Sequence, residues 1–201
     1  PYVRRGILTG KGKFHMKTLV MLSNHHVHLT DEACHALFGD KGLTFARYLA
    51  EEGGPWSSNE LVEVRGPKGT LGRFRVLGPL RPYTQVELLK SDCFKLGVNP
   101  PVRNSGKLDG AVQLTLVGPC GEYTANCGIL AWRHIHVDKE TLAEMGKNYG
   151  DFVTVRSGGD RALDFRNVAL VPGGKGLLMH IDTEEGNAAG CQNGDMLDVI
   201  L

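Results

Sequence analysis

One stretch of this chain occurs twice, and that constrains the fold more than any other feature. Leu22-Ser23-Asn24-His25-His26-Val27-His28-Leu29 is echoed by Leu130-Ala131-Trp132-Arg133-His134-Ile135-His136-Val137, each holding His-x-His around a β-branched residue. In a strand, residues i and i+2 project from one face with Cα atoms about 6.5–7 Å apart. Two imidazoles so placed can converge on one metal ion, with Zn–N bonds of about 2.0–2.1 Å. A single such pair is more often an ordinary surface or core pair. Its repetition makes the difference.

The neighbourhoods repeat as well. Thr30 after the first block and Asp138 after the second each stand as the N-cap of a helix start. Alternating strands follow at 61–65 and 152–156, then Gly-containing turns and second strands at 73–77 and 162–170. A third matching block runs from Glu87 to Gly97 and from His180 to Gly190, so Glu87 and His180 hold equivalent places. A period of roughly 100 residues reads as two duplicated domains rather than a solenoid. Each copy then offers three ligands: His26, His28 and Glu87, then His134, His136 and His180. Three protein ligands with an open position is the catalytic zinc pattern, whereas structural sites are usually filled by four.

Twenty-seven glycines among 201 residues, scattered between short alternating strands, point to a β-rich fold with many tight turns. The formal net charge of +1 gives no electrostatic reason to expect nucleic acid or a membrane surface as a partner. The five cysteines form no C-x-x-C pair, which argues for a reduced, intracellular setting and against a disulfide framework or a zinc ribbon. Residues 1–16 are basic and broken by glycine, and read as a flexible tail with no amphipathic helix. The first domain is expected over 17–105 and the second over 106–201, divided by the Pro/Gly-rich connector at 100–106.

Two regions leave alternatives open. The span from His28 to Leu61 is 33 positions where its counterpart, His136 to Phe152, is 16. The extra chain reads as a short amphipathic helix over 42–54, either a substrate wall or a surface excursion. Asp182, Glu184 and Glu185 follow His180 at a helix start with Thr183 as N-cap. They suit either outer partners for ligating imidazoles or complements to the helix dipole. A helix is also expected over 138–147. Arg75 and Arg81, just ahead of Glu87, are suited to grip a phosphate near a dimetal site, although surface arginines are common.

Taken together, several blocks resemble one family. They are Ser23-Asn24-His25-His26-Val27-His28-Leu29, Arg75-Val76-Leu77-Gly78-Pro79-Leu80-Arg81, Thr84-Gln85-Val86-Glu87, Pro101-Val102-Arg103-Asn104-Ser105-Gly106, Arg133-His134-Ile135-His136 and Met179-His180-Ile181-Asp182-Thr183-Glu184-Glu185-Gly186-Asn187. From about Leu19 onward the chain is similar to the PduL-type phosphate acyltransferases, the phosphate propanoyltransferases of bacterial microcompartments and their acetyl-specific relatives. The resemblance implies a mainly β fold with short capping helices, built as two tandem pseudo-repeated β-barrel domains. It implies an acyltransferase that interconverts acyl-CoA plus phosphate with acyl phosphate plus coenzyme A, the acyl group being propanoyl or acetyl. Two zinc ions would sit on the trios already named. Arg81 would hold phosphate, while Ser23, Arg75, Leu77 and Asn187 would lie along coenzyme A. The setting implied is bacterial cytoplasm or the microcompartment lumen, with shell or lumen enzymes as partners. Oligomeric state stays open, a homo-oligomer being one outcome. The chain departs from the family pattern at His25, where relatives typically carry arginine, and at Gly186, where they carry alanine.

The chemistry expected is direct attack of phosphate on the thioester, aided by a metal at the acyl carbonyl. Cys93 would be the suspect for a covalent step, but no histidine base is assigned to it. The rivals are a two-zinc thioester or phosphoester hydrolase and a metal-stabilised binding module without turnover.

Overall fold

The structure is a computed structural model that describes residues 7–9, 13–49 and 52–201. In chain order its strands are β1 Ile7–Thr9, β2 Lys13–Ser23, β3 His26–His28, β4 Phe45–Tyr48, β5 Trp56–Arg65, β6 Thr70–Gly78, β7 Gln85–Leu88, β8 Val102–Arg103, β9 Val112–Val117, β10 Glu122–Ala131, β11 His134–Val137, β12 Phe152–Arg156, β13 Asp164–Pro172, β14 Leu177–Asp182 and β15 Met196–Ile200. The α-helices among the described residues are short: α1 Asp31–Phe38, α2 Lys90–Leu96, α3 Lys139–Glu144 and α4 Thr183–Ala189. None is long and apolar enough to cross a membrane.

The chain divides into a continuous unit, Asn24–Ala131, and a discontinuous one made of the chain up to Ser23 with Trp132–Leu201. Each closes a six-stranded barrel. In the continuous unit the order is β5-β6-β3-β7-β10-β9, shut by the β9–β5 pairing, with β4 and β8 as added strands. In the discontinuous unit it is β2-β14-β11-β13-β12-β15, shut by β15–β2 and extended by β1. The pairings correspond in direction as well as order. β3–β6 and β11–β13 are parallel, β3–β7 and β11–β14 antiparallel, β10–β7 and β2–β14 parallel.

This correspondence exposes an exchange. The strand leading into each His-x-His block completes the other unit's barrel: β2 runs into His26 but closes the discontinuous unit, and β10 runs into His134 but closes the continuous one. The unit boundaries therefore fall after Ser23 and after Ala131. The 100–106 connector lies inside the continuous unit, where β8 pairs with β10. Pro/Gly chemistry announces a turn locally, whereas barrel membership is settled by hydrogen bonding between distant strands.

Each barrel has its own core. Val27, Val62, Val64, Phe74, Val76, Val86, Leu114 and Leu116 fill the continuous one; Val20, Ile135, Val153, Val155, Val168, Leu170, Met179 and Val199 fill the discontinuous one. Both barrels kink at the same place. Register shifts accompany Arg73 (φ 70°) in β6 and Asn167 (φ 55°) in β13, an extra residue turned left-handed in each.

Within the 42–54 stretch expected to be helical, Phe45–Tyr48 instead form strand β4, and residues 50–51 lie outside the described residues. Thr44 binds the Glu60 carboxylate through its backbone N–H (2.9 Å) and its hydroxyl (2.7 Å), and its carbonyl accepts from Asn59. That registers Phe45 against β5, where its ring meets Tyr48 and Trp56. Of the expected tail, residues 1–6 and 10–12 lie outside the described residues, whereas Ile7–Thr9 pair as β1 with the start of β2. The helix expected over 138–147 stops at Glu144, ahead of Gly146 at φ 63°. Helix α2, which the sequence pattern does not announce, occupies in the continuous unit the place that α4 has in the other.

Candidate functional site

Strand register builds the first trio. β3 and β7 run antiparallel with His26 opposite Glu87 and His28 opposite Gln85, so all four side chains share a face while Val27 and Val86 turn into the core. His26, His28 and Glu87 each bring a ligand atom to within 4.8 Å of the others. His26 Nδ1 donates to the Asn24 carbonyl at 2.8 Å, which leaves Nε2 facing Glu87 Oε2 at 3.4 Å. His28 is buried, and its Nδ1 has no partner. Burial, with His26 and Arg81 adding repulsion, pushes its pKa down to about 3. It therefore stands as a neutral imidazole, the form a metal ligand requires.

The second trio repeats the plan with three rings. His134 faces His180 across β11–β14. Ring centroids lie 4.8 Å (His134–His136), 5.2 Å (His134–His180) and 5.1 Å (His136–His180) apart. His134 Nδ1 bonds the Trp132 carbonyl at 2.8 Å, and His136 Nδ1 bonds the Pro172 carbonyl at 3.1 Å. A carbonyl only accepts, so both Nδ1 atoms carry hydrogen and the two Nε2 atoms are turned toward one another, 3.2 Å apart. A shared proton satisfies that contact, and the same spacing sets two imidazole nitrogens where one cation could take both. Gly173 (φ 145°) protects the arrangement, since a Cβ there would fall 2.7 Å from His136 Nδ1. Both donor sets thus suit zinc, being nitrogen-rich and preoriented by backbone carbonyls, and the first also holds the unpartnered His28 Nδ1.

Arg81 lies in the continuous unit, close enough to His28 for its charge to act there. Its backbone N–H is anchored on the Leu29 carbonyl at 2.8 Å, and its buried Nε has no partner. Arg75 and Leu77 share that unit; Arg75 Nη1 is spent on the carbonyls of Ser58 (3.1 Å) and Asn59 (2.8 Å), and Leu77 is buried. Ser23 and Asn187 belong to the discontinuous unit, Ser23 opposite Asp182 at the end of β2 and Asn187 exposed on α4.

Two of the carboxylates after His180, Asp182 and Glu185, serve the helix. Asp182, not Thr183, is the N-cap of α4, accepting from Glu185 N at 2.7 Å, while Glu185 accepts from Asp182 N. Burial raises the pKa of both carboxyls, and Arg133 opposes that rise with a 2.7 Å ion pair to Glu185. Gly186 sits where a Cβ would come 2.6 Å from the Leu22 side chain, a local reason for glycine there. A partner that spacing gave no hint of is His25, whose Nδ1 binds Asp92 at 2.9 Å while its ring stacks on Phe74. None of the five cysteines is in a disulfide; Cys93 is buried, with Sγ donating to the Leu89 carbonyl.

Each barrel thus lifts three side chains of types that can bind metal onto one wall: His26, His28 and Glu87 in the continuous unit, His134, His136 and His180 in the other. Residues 19–192 match the family model described as phosphate propanoyltransferase. A phosphate propanoyltransferase of Rhodobacter capsulatus is 44% identical over 183 residues, covering 90% of this chain and 85% of that protein. Those of Thermotoga maritima (40%, covering 90% and 88%) and Salmonella typhimurium (39%, covering 86% and 83%) are similar along a comparable share of their length. The chain belongs to the phosphate propanoyltransferase family, and is an acyltransferase.

Proposed function

We propose that this protein moves a propanoyl or acetyl group between coenzyme A and inorganic phosphate by direct attack, with no acyl-enzyme. The observation that carries the reading is the uncompensated Arg81 Nε beside the His26, His28 and Glu87 trio. An arginine with a free edge at a metal centre is a ready clamp for a tetrahedral dianion. Arg81 would hold hydrogen phosphate and aim one oxygen at the thioester carbon. The new C–O bond forms as the C–S bond breaks, and the phosphate proton ends on the departing thiolate. His26, His28 and Glu87 would hold one zinc ion, and His134, His136 and His180 a second. Bound there, zinc supplies Lewis acidity toward the acyl carbonyl and a soft acceptor for the thiolate. Ser23, Arg75, Leu77 and Asn187 would line coenzyme A; with Nη1 engaged, Arg75 would offer the other edge of its guanidinium. Buried Cys93, held against its own helix, is unsuited to a covalent step.

The bacterial relatives support a bacterial cytoplasm as the setting; the microcompartment lumen, with shell or lumen enzymes as neighbours, extends that proposal. The deciding assay follows acyl phosphate and free coenzyme A together. Phosphate-dependent release of both in equal amounts is expected, with Arg81→Ala lowering the rate by roughly 10²–10³-fold. Coenzyme A release that ignores phosphate would overturn transfer in favour of hydrolysis.

A further inference from the structure

Beside the first trio lies a residue whose side-chain hydrogen bonds are fully specified. Gln85 is completely buried on the face that carries His26, His28 and Glu87. Its Oε1 accepts from the Gly106 backbone N–H at 2.7 Å, and a backbone N–H can only donate, so the orientation of the amide is settled. Nε2 must then supply both remaining bonds, to Glu87 Oε1 at 2.8 Å and to Ser105 Oγ at 2.8 Å. Glu87 is left with Oε2 pointing at His26 Nε2.

The matching position of the discontinuous unit carries no amide. Leu178 stands opposite His136 where Gln85 stands opposite His28. The difference follows the ligand. An imidazole presents one nitrogen along a fixed direction, and a backbone carbonyl suffices to orient it. A carboxylate has two equivalent oxygens and a soft terminal torsion, so it can bind a metal through one oxygen or both.

We infer that Gln85 is a positioning residue for the continuous unit's centre: it holds Glu87 as a single-oxygen ligand through Oε2 and ties that ligand to the 105–106 turn. The inference rests on the metal-binding reading above. By occupying Oε1, the amide excludes two-oxygen binding and keeps one coordination position open for substrate.

The test uses the full chain, zinc affinity by competition with a chelator, and the absorption spectrum of the cobalt-substituted protein. Gln85→Leu, which copies the other unit, is expected to weaken one zinc by about 10–100-fold and alter the cobalt spectrum. In a Glu87→His background the same change should leave affinity unaltered, because an imidazole needs no such clamp. Unchanged affinity and spectrum in Gln85→Leu would overturn the role. Should that variant fail to fold, Ser105→Ala decides: a shifted spectrum with unaltered melting of the metal-free protein supports the tie, and an unshifted one overturns it. Metal content indifferent to His28→Ala would instead remove the underlying metal reading, a result separate from Gln85 losing its part.

Discussion

The two barrels keep the same strand order, the same pairing directions and the same left-handed kink, yet at several matching points around the shared His-x-His pairs the side chains differ. His25 on Asp92 and over Phe74 answers Arg133 on Glu185 and over Phe165. In both, a nitrogen base just ahead of the His-x-His strand reaches a carboxylate at the third position of a capping helix, and that carboxylate reaches back to the helix's first free N–H. The third metal-type ligand is a clamped carboxylate in one unit and an imidazole in the other. What persists is the role each position plays in hydrogen bonding; the group that fills it is exchangeable. Backbone pairing fixes where a side chain starts, and any residue that completes the same bond can follow.

The comparison breaks first if the centres are not both functional. His28→Ala and His136→Ala are each expected to remove one of two zinc ions and to lower phosphate-dependent acyl phosphate formation by at least about 100-fold, beyond what an outer partner costs. Elemental analysis and the transfer assay read both. Activity surviving one substitution would make that barrel's centre structural.

The ion pairs come next. Arg133→Ala and His25→Ala each leave a half-buried or buried carboxylate short of a partner, and should cost about 1.5–3 kcal/mol in urea unfolding. His25→Arg should restore the continuous unit to the pattern of the other and retain stability. A loss confined to one of the two alanine variants would deny the equivalence.

Helix caps sharpen the contrast with pH. Thr30 caps α1 with a hydroxyl, whereas Asp138 caps α3 with a carboxylate that accepts from Thr141 N at 2.8 Å and Gly176 N at 2.6 Å. Those backbone bonds lower the Asp138 pKa. Its contribution is therefore present above the ordinary value of 3.8 and disappears as pH falls through the lower folded value. Either alanine substitution should cost about 1–2 kcal/mol near neutrality. Only Asp138→Asn should flatten the acid limb of a thermal-melt series; a flattening by Thr30→Ala as well would remove the distinction.

The smallest effect is at the kinks. Asparagine tolerates a left-handed backbone and arginine does so poorly. Arg73→Gly should stabilise by up to about 1 kcal/mol while Asn167→Gly is nearly neutral, measured by the same melts. Equal shifts would mean that the two kinks are not strained differently.

Much of this was legible in advance where the signal is periodic or local. Alternation at 152–156 located β12 to the residue, and Thr30 and Asp138 cap the helices that their spacing announces. The 42–54 stretch misled because Phe45, Tyr48 and Leu49 satisfy a helical spacing, and the Glu60 carboxylate that draws Thr44 into a strand lies on another segment. α2 escaped notice because its cap is Leu89, with Asp92 alone closing the turn. The Gln85 clamp could not be read from Gln-x-Glu, since two of its three bonds go to residues 105 and 106.

By itself the sequence determined the duplication, many of the strands and the shared face of each His-x-His pair, because alternation with period two is a property of neighbouring residues. Tertiary structure alone decided that the strand leading into each histidine block completes the opposite barrel, which Glu87 oxygen faces His26, and that His25 has a carboxylate waiting. These outcomes depend on hydrogen bonds between segments tens of residues apart, and such partners are chosen by which closed barrel satisfies every strand edge at once.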